Sequence, residues 1–397
     1  MPAGSIVCLA LAAFGSGVSQ RLNDALLPQL GAEFSVTLGQ AAQVTSLFAI
    51  AYGLAQLFFG PLGDRYGKYR VVAWCSAACA ISTLLCGLAT DFTLLRLLRA
   101  LSGITAAALI PLAMAWIGDV VRYEERQPVL ARFLIGQILG VSAGVWMGGF
   151  AADHLSWRAP YLLLAALFAA IAFALFALNR RLPAQARATR RGSGSALGRI
   201  ASDFGHVLAG RWARVVLVCV FLEGMLLYGP FAFLASHLHD AFGLSLSLAG
   251  TVVMLFGFGG FAFALGSQRL VAGLGEVGLA GWGGVVMAAS LLLVGHAPAW
   301  EWAVPGCFGA GLGFYMLHNT LQVNATQMRP ERRGAAVSAF ASCFFLGQSA
   351  GVATAALLVE RLGTAPVIAA GALGLLVLAL AFARLRSHEL RGAAAAS

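Results

Sequence analysis

Charged side chains are scarce in this sequence. Asp, Glu, Lys and Arg together make up 11% of its 397 residues, whereas hydrophobic residues make up 60%. The mean hydropathy is +0.83, and soluble globular domains carry about 25% charged residues. This composition excludes a soluble globular protein, and the long apolar runs indicate a multi-pass membrane protein embedded in the lipid bilayer.

Short enzymatic motifs are also missing from the sequence. It contains no Walker loop, no metal-ligand spacing and no nucleophile elbow, and its cysteines form no C-x-x-C pair. The segment Gly257-x-Gly259-x-x-Ala262 has the spacing of a dinucleotide fingerprint, but it lies in an apolar helix with no strand before it. We therefore expect no enzyme activity, no cofactor and no bound metal. Any energy that the protein uses must then come from gradients rather than from ATP.

The formal net charge of +10 reflects an uneven distribution of arginine and lysine. These residues concentrate in the loops after the even-numbered predicted helices given below, while the opposite loops carry only Arg158 and Arg361. Because positive charge accumulates in the cytoplasmic loops of membrane proteins, both termini and the long central loop are predicted to lie in the cytoplasm. Membrane topology therefore accounts for the positive net charge, and we expect no nucleic acid partner.

Apolar runs between charged segments predict twelve transmembrane helices, each close to the about 20 residues that cross a bilayer. Their predicted spans are 5–28, 41–62, 71–90, 94–118, 128–150, 160–178, 212–236, 246–268, 277–296, 302–325, 334–358 and 366–384. The Arg-rich segment 182–211 is predicted to be a cytoplasmic central loop. It separates an amino-terminal six-helix bundle, residues 1–181, from a carboxy-terminal six-helix bundle with a short cytoplasmic tail, residues 212–397.

A repeated pattern supports this division into two halves. Gly136-Gln137-x-x-Gly140-Val141 in predicted helix five recurs as Gly347-Gln348-x-x-Gly351-Val352 in predicted helix eleven. Recurrence of the same spacing one half-length later is typical of a duplicated transporter half.

A short charged turn joins predicted helices two and three. Its sequence is Gly60-Pro61-Leu62-Gly63-Asp64-Arg65-Tyr66-Gly67-Lys68-Tyr69-Arg70. It resembles the G-x-L-a-D-R-x-G-r-k signature of the major facilitator superfamily, with Lys68 at a position where arginine is usual. The resemblance implies an all-α membrane protein, with twelve transmembrane helices in two pseudo-symmetric six-helix bundles around a midplane cavity that opens alternately to each side. We expect a gating motif formed by Gly60, Gly63, Asp64, Arg65, Gly67, Lys68 and Arg70, with Asp119 as the partner of Lys68.

Further motifs resemble bacterial twelve-helix drug/proton antiporters and sugar-efflux-like permeases within that superfamily. They are Asn23-Asp24-x-x-x-Pro28 in helix one, Arg99-x-x-x-Gly103 in helix four and Gly140-x-x-x-Gly144-Val145-x-x-Gly148-Gly149 in helix five. In the last motif Val145 stands where the antiporter pattern has proline. The four glycines have two interpretations, an antiporter marker or close packing of helix five on a neighbouring helix.

Asp24 and Glu223 are the acidic residues that lie well inside predicted helices. Intramembrane carboxylates usually face a cavity, pair with a cation or carry protons. Asp24 is predicted to pair with Arg99 across the amino-terminal bundle or with Arg21 at i,i+3, and a proton that competes for it would act as a switch. The alternative is a permanent structural ion pair. Glu223 is a second candidate proton carrier, or else a neutral acid hydrogen-bonded to a neighbouring helix.

Polar and aromatic side chains deep inside the predicted transmembrane helices predict a cavity for a small organic solute. The candidates are Trp116, Gln137, Tyr228, Phe231, Tyr315, His318, Asn319, Gln322 and Gln348. Each of them could equally serve helix packing or hydrogen bonding between helices. His318 is predicted to lie toward the cytoplasmic side of helix ten, where it could titrate or simply be solvated.

These features predict a secondary active transporter in a bacterial inner membrane. We expect a monomer that couples proton movement to the efflux of a small-molecule substrate, namely small organic compounds. One alternative is a proton-coupled importer of a small organic anion, favoured by the excess of Arg21, Arg96 and Arg99 over Asp24. Another is a receptor or scaffold that has lost transport.

Overall fold

The computed structural model describes residues 4–183, 186 and 196–396, and within them the regular structure is helical. The helices are α1 (Ser5–Arg21), α2 (Leu27–Phe34), α3 (Leu38–Ala41), α4 (Gln43–Tyr66), α5 (Lys68–Gly87), α6 (Phe92–Ala106), α7 (Leu109–Val120), α8 (Tyr123–His154), α9 (Ala159–Arg181), α10 (Ala196–Ala209), α11 (Arg211–Phe231), α12 (Leu234–Phe242), α13 (Leu246–His296), α14 (Ala303–Gln327), α15 (Arg333–Leu362) and α16 (Thr364–Ala396). Among the described residues, 9 helical segments are long and apolar enough to cross a membrane. The chain is therefore an all-α membrane protein.

Several predicted transmembrane helices are interrupted. The first is divided into α1 and α2, the fourth into α6 and α7, and the seventh into α11 and α12. Pro28 lies in the first turn of α2 and Pro230 near the end of α11, and proline removes a helical hydrogen bond. The eighth and ninth follow each other directly within α13, which consists of two helical parts joined at Gly275, where the backbone is not helical and a φ of 63° suits glycine.

The described residues form two helical bundles. One large cluster of buried apolar side chains is built mainly from α1 to α9. A second cluster is built mainly from α11 to α16. The first cluster thus comes mostly from the amino-terminal part of the chain and the second mostly from the carboxy-terminal part.

The predicted central loop contains more structure than expected. Residues 196–209, within the segment assigned to the loop, form the helix α10. Val207 of this helix is fully buried and Phe204 is partly buried against the carboxy-terminal cluster. Burial of these apolar residues favours a helix, although the Arg-rich composition suggested a linker. The Gly192–Ser195 stretch lies outside the described residues.

The glycines of α8 pack against α1. Gly140, Gly144 and Gly148 face main-chain atoms of α1, and a Cβ atom on Gly144 would lie 2.7 Å from the carbonyl oxygen of Val18. Backbone atoms of a helix cannot move aside easily, so only glycine permits this approach. Gly149 faces Leu246 of α13 in the other bundle instead. Helix packing therefore accounts for the motif by itself.

Replacing Gly144 with Ala should destabilise the protein by about 1–3 kcal/mol, the usual cost of overpacking a well-packed contact. Gly118→Ala is the matched control, because a Cβ on Gly118 meets nothing within 4 Å. Thermal unfolding in detergent should show a lower midpoint for Gly144→Ala only. Equal midpoints for the two variants would contradict the packing role.

The bundles contact each other at the end predicted to face away from the cytoplasm. Thr37, which caps α3, donates a hydrogen bond to Glu360 of α15. One turn into α4, Ser46 meets Ser349 of α15, whose hydroxyl donates to the Ser46 carbonyl oxygen at 2.9 Å. These contacts connect α3 and α4 of one bundle to α15 of the other.

A second contact at the same end joins α8 to α13. The Asp153 carboxylate accepts hydrogen bonds from the main-chain N–H groups of Leu246 at 3.2 Å and Ser247 at 2.6 Å. These N–H groups belong to the first turn of α13, where helices lack internal partners for their donors. Asp153 thus caps a helix of the opposite bundle, and the two contacts together close this end.

Candidate functional site

A cavity of about 1610 Å³ lies between the two bundles. Its lining includes Arg21, Tyr52 and Gln137 from the amino-terminal half and Tyr228 and His318 from the carboxy-terminal half. At one end it reaches the charged turn after α4, and at the other the interbundle contacts close it. The cavity therefore opens at the end predicted to face the cytoplasm.

Seven of the nine predicted cavity residues line this space. They are Gln137, Tyr228, Tyr315, His318, Asn319, Gln322 and Gln348. The expectation was wrong for Trp116, whose neighbours Met114 and Ala115 line the cavity instead. The Trp116 indole faces Tyr69 of α5, and its Nε1 donates to the carbonyl oxygen of Ala186 at 2.9 Å.

Phe231 is also absent from the cavity lining. Its ring packs on Phe256, with ring centres 4.8 Å apart, and on Tyr228 at 5.5 Å. It lies at the end of α11, immediately after Pro230, and its side chain is 2% exposed. Phe231 therefore packs against Tyr228 on the side of that ring away from the cavity.

Asp24 lies in the break between α1 and α2, next to Arg21, the last residue of α1. An Arg21 Nη1 atom lies 3.5 Å from a carboxylate oxygen of Asp24, and both side chains are almost fully buried. The second nitrogen, Nη2, donates to Gln348 of α15 at 2.6 Å. The guanidinium also lies 3.8 Å from the centre of the Tyr228 ring. Arg21 thus joins the Asp24 carboxylate to two helices of the opposite bundle.

Arg99 has different partners from those expected. Its guanidinium donates to the main-chain carbonyl oxygens of Ser19 at 2.9 Å and Val44 at 3.3 Å, and it stacks on Phe48. The ion pairs found among the described residues join Asp24 to Arg21 and not to Arg99. The main-chain break after Arg21 accounts for one of these partners, because the Ser19 carbonyl lies in the last turn of α1, whereas Val44 belongs to the first turn of α4. Arg99 still acts on Asp24 electrostatically.

Glu223 and His318 form a pair between α11 and α14. The His318 Nδ1 atom lies 2.7 Å from a carboxylate oxygen of Glu223, which is fully buried. The other carboxylate oxygen of Glu223 has no hydrogen-bond partner. His318 lines the cavity, whereas Glu223 lies behind it. The packing of α14 on α11 brings both groups to one level, so His318 has a buried carboxylate as its partner.

The charged turn after α4 holds the ion pair suggested by the family resemblance. Lys68 Nζ contacts the Asp119 carboxylate at the end of α7, and it lies 3.7 Å from Asp64. Gly67 has a φ of 91°, which lets the chain turn directly from α4 into α5. Asp64 and Lys68 line the open end of the cavity, as does Gly60. Arg65 and Arg70 lie instead over the rings of neighbouring aromatic residues.

Sequence reasoning missed two polar features. One is the pair of carboxylates, Asp153 and Glu360, that bridges the bundles at the closed end. The other is a cluster in the carboxy-terminal bundle, where Glu276 accepts from Arg386 at 2.9 Å and also bonds Asn324. Asp153 and Glu360 lie near helix ends, and Glu276 directly follows the break at Gly275; the sequence gives no sign of which distant helix lies beside these positions.

Two helical bundles that enclose a cavity, open at one end and held together at the other, define a multi-pass membrane transporter. Comparison with known proteins identifies its family. The family model for the Major Facilitator Superfamily matches residues 9–352. The chain therefore belongs to this superfamily, whose members are transporters and not enzymes.

Individual relatives agree with this assignment. The chain is 25% identical over 351 residues to the MFS-type transporter YceJ of Bacillus subtilis (strain 168), covering 87% of each protein. It is 25% identical over 151 residues to the multidrug export protein EmrB of Escherichia coli (strain K12), covering 38% of this chain and 30% of EmrB. The chain spans less than two thirds of the length of several other curated relatives. The nucleoside transporter NupG has the same fold, with a TM-score of 0.77, 16% identity and coverage of 95% of this chain and 98% of NupG.

Proposed function

We propose that this protein is a proton-coupled secondary active transporter that exports small organic compounds by alternating access. It would act as a monomer in the cytoplasmic membrane of a bacterium, with both termini in the cytoplasm. The observation that carries the proposal is the position of Arg21, which contacts the Asp24 carboxylate of its own bundle and Gln348 of the other.

Protonation of Asp24 would change the contact between the bundles. An ionised Asp24 holds the Arg21 guanidinium in place by charge, and a protonated Asp24 does not. Arg21 is also bonded to Gln348 and stacked on Tyr228. A proton on Asp24 would therefore remove the charge partner that positions Arg21 against the opposite bundle. This links proton binding to the change of access that transport requires.

Glu223 is proposed as a second proton site. Its partner His318 borders the cavity, so a proton could pass from the cavity to the buried carboxylate through the imidazole. Each bundle would then contain one protonatable carboxylate, Asp24 in the amino-terminal bundle and Glu223 in the carboxy-terminal bundle.

Export is supported by the resemblance to drug/proton antiporters and by the similarity to EmrB. Inverted membrane vesicles with an acidic lumen, offered a panel of labelled organic compounds, test it. We expect at least one compound to accumulate in the lumen and to leave when nigericin dissipates the pH gradient. Accumulation only in vesicles of the native orientation would instead establish uptake. Compounds that bind but never cross would indicate a receptor.

Asp64→Asn should slow transport by roughly fivefold, the effect of about 1 kcal/mol for a charged helix cap. Asp64 is 49% exposed beside Lys68, and exposed ion pairs contribute little on their own. The effect must therefore arise from a contact made in only one state, and equilibrium binding of substrate should stay near wild type. The measurement is initial transport rate alongside binding, with Asp91→Asn as the control at the opposite membrane face. An unchanged rate would contradict the gating role.

A further inference from the structure

The closed end of the cavity presents a positive charge with unused donors. Arg21 is the one arginine among the described residues that line the cavity, and its side chain is only 3% exposed. Its Nε atom is buried and has no hydrogen-bond partner. A guanidinium has five N–H donors, of which the contacts to Asp24 and Gln348 use two. The site therefore has capacity to bind a further acceptor.

The buried charges beside Arg21 do not balance. Arg99 is 1% exposed, and its hydrogen bonds go to neutral carbonyl groups rather than to a carboxylate. Among the described residues, Asp24 forms its ion pair with Arg21 and none with Arg99. In the opposite bundle Glu223 already has His318 as its partner. An uncompensated cation is costly where water is excluded, so the arrangement favours an anionic ligand.

Other charges on the cavity wall do not offset this excess. Asp64 and Lys68 line the cavity at its open end, where they lie 3.7 Å from each other and pair locally. A ligand that reaches the closed end therefore meets Arg21 as the nearest formal charge.

The wall beside Arg21 is aromatic. Tyr228 lies under the guanidinium at 3.8 Å. Its ring centre is 5.8 Å from that of Phe314 and 5.6 Å from that of Phe344, and all three residues line the cavity. Such a wall buries an apolar group while the charged end fixes its orientation. The geometry thus combines an anion site with an adjoining apolar surface.

We propose that the transported compound is a small organic anion, whose carboxylate pairs with Arg21 and whose apolar part lies on Tyr228, Phe314 and Phe344. This inference rests on the proposed function only in taking the cavity as the transport route, and it holds for either direction of transport. The planar guanidinium of arginine can donate two parallel hydrogen bonds to the two oxygens of one carboxylate.

The test uses purified full-length protein in lipid nanodiscs and three probes of matched shape: 4-phenylbutanoate, 4-phenylbutanamide and 4-phenylbutylamine. Binding is measured by the rise in unfolding temperature, since a ligand that binds the folded state stabilises it. We expect stabilisation by the carboxylate and not by the amide or the amine. Stabilisation by the amine or amide at equal concentration would overturn the inference. So would a series of carboxylates, from acetate to arylalkanoates, of which none stabilises the protein.

Variants assign the binding to Arg21. Arg21→Gln should weaken carboxylate binding by about tenfold or more, the loss of a hydrogen bond to a charged group. Arg96→Gln is the control, because Arg96 belongs to the same bundle but bonds Gln43 outside the cavity. If Arg21→Gln does not fold, Arg21→Lys is the second variant. It keeps the positive charge but lacks the planar guanidinium, so it should still prefer carboxylates and bind them with lower affinity. Unchanged binding in a folded Arg21 variant would overturn the assignment.

Failure of this inference and failure of the proposed function are distinguishable. Carboxylate binding without pH-driven transport would contradict proton coupling and leave the anion site intact. Proton-driven transport of amines by a protein that binds no carboxylate would contradict the anion site alone.

Discussion

Asp24→Asn should abolish transport driven by a pH gradient while the protein still folds and binds its substrate. Asparagine has nearly the shape of aspartate but cannot change its charge, so it fixes the site in the neutral form. Arg21 would lose its carboxylate partner but keep Gln348 and the Tyr228 ring. Proteoliposomes with an imposed pH gradient should show no accumulation, whereas exchange of substrate down its own gradient should continue.

The matched control for this variant is Glu33→Gln. Glu33 is an exposed acid in the next helix, paired with Arg158 at 3.1 Å, so its neutralisation should leave coupling intact. A purely structural ion pair predicts a different result for Asp24→Asn, because an unpaired buried arginine typically costs about 3–5 kcal/mol of stability. A folded Asp24→Asn protein that still accumulates substrate would refute the coupling role, and Glu223→Gln would then be the variant to test.

A disulfide between Ser46→Cys and Ser349→Cys should stop transport almost completely. The two hydroxyl oxygens lie 3.1 Å apart, on α4 and α15 of opposite bundles, which suits a disulfide between neighbouring side chains. Alternating access requires this end to open, so a covalent bond here would hold the cavity in its present orientation. We expect the loss under a mild oxidant and recovery with a reductant.

Three controls accompany the disulfide experiment. Each single cysteine variant and the wild type should keep their activity under the same oxidant, because most native cysteines are buried. Gel mobility after protease cleavage in the central segment measures the crosslinked fraction. Full transport by fully crosslinked protein would contradict alternating access at this interface.

Much of the fold could be predicted from the sequence. Apolar runs mark most of the helices, because bilayer thickness sets the length of each membrane-spanning segment by itself. Loop charges mark the sides of the membrane and the division into halves, because the charge of each loop is read from its own residues. The Lys68 and Asp119 contact followed from the motif in the turn, and the Arg21 and Asp24 pair from their spacing. These interactions are local or carried by a recognisable pattern.

Contacts between distant helices could not be predicted in the same way. The Glu223 and His318 pair depends on the relative depth of α11 and α14, which neither segment encodes alone. Arg99 bonds the Ser19 carbonyl in the last turn of α1, next to a break that shows no strong signal beyond Pro28. The rotation of α7 likewise decided that Met114, rather than Trp116, faces the cavity. Tertiary packing sets each of these positions.

The cap that Asp153 places on α13 has a consequence for how this interface tolerates change. Its donors are the main-chain N–H groups of Leu246 and Ser247, and every residue except proline supplies such a group. Residues 246 and 247 can therefore vary widely without loss of the contact, whereas Asp153 has few substitutes. A systematic mutational scan should find that the cap depends on the side chain of Asp153 and on neither side chain of residues 246 and 247. The two sides of this single interface are thus free to diverge at very different rates.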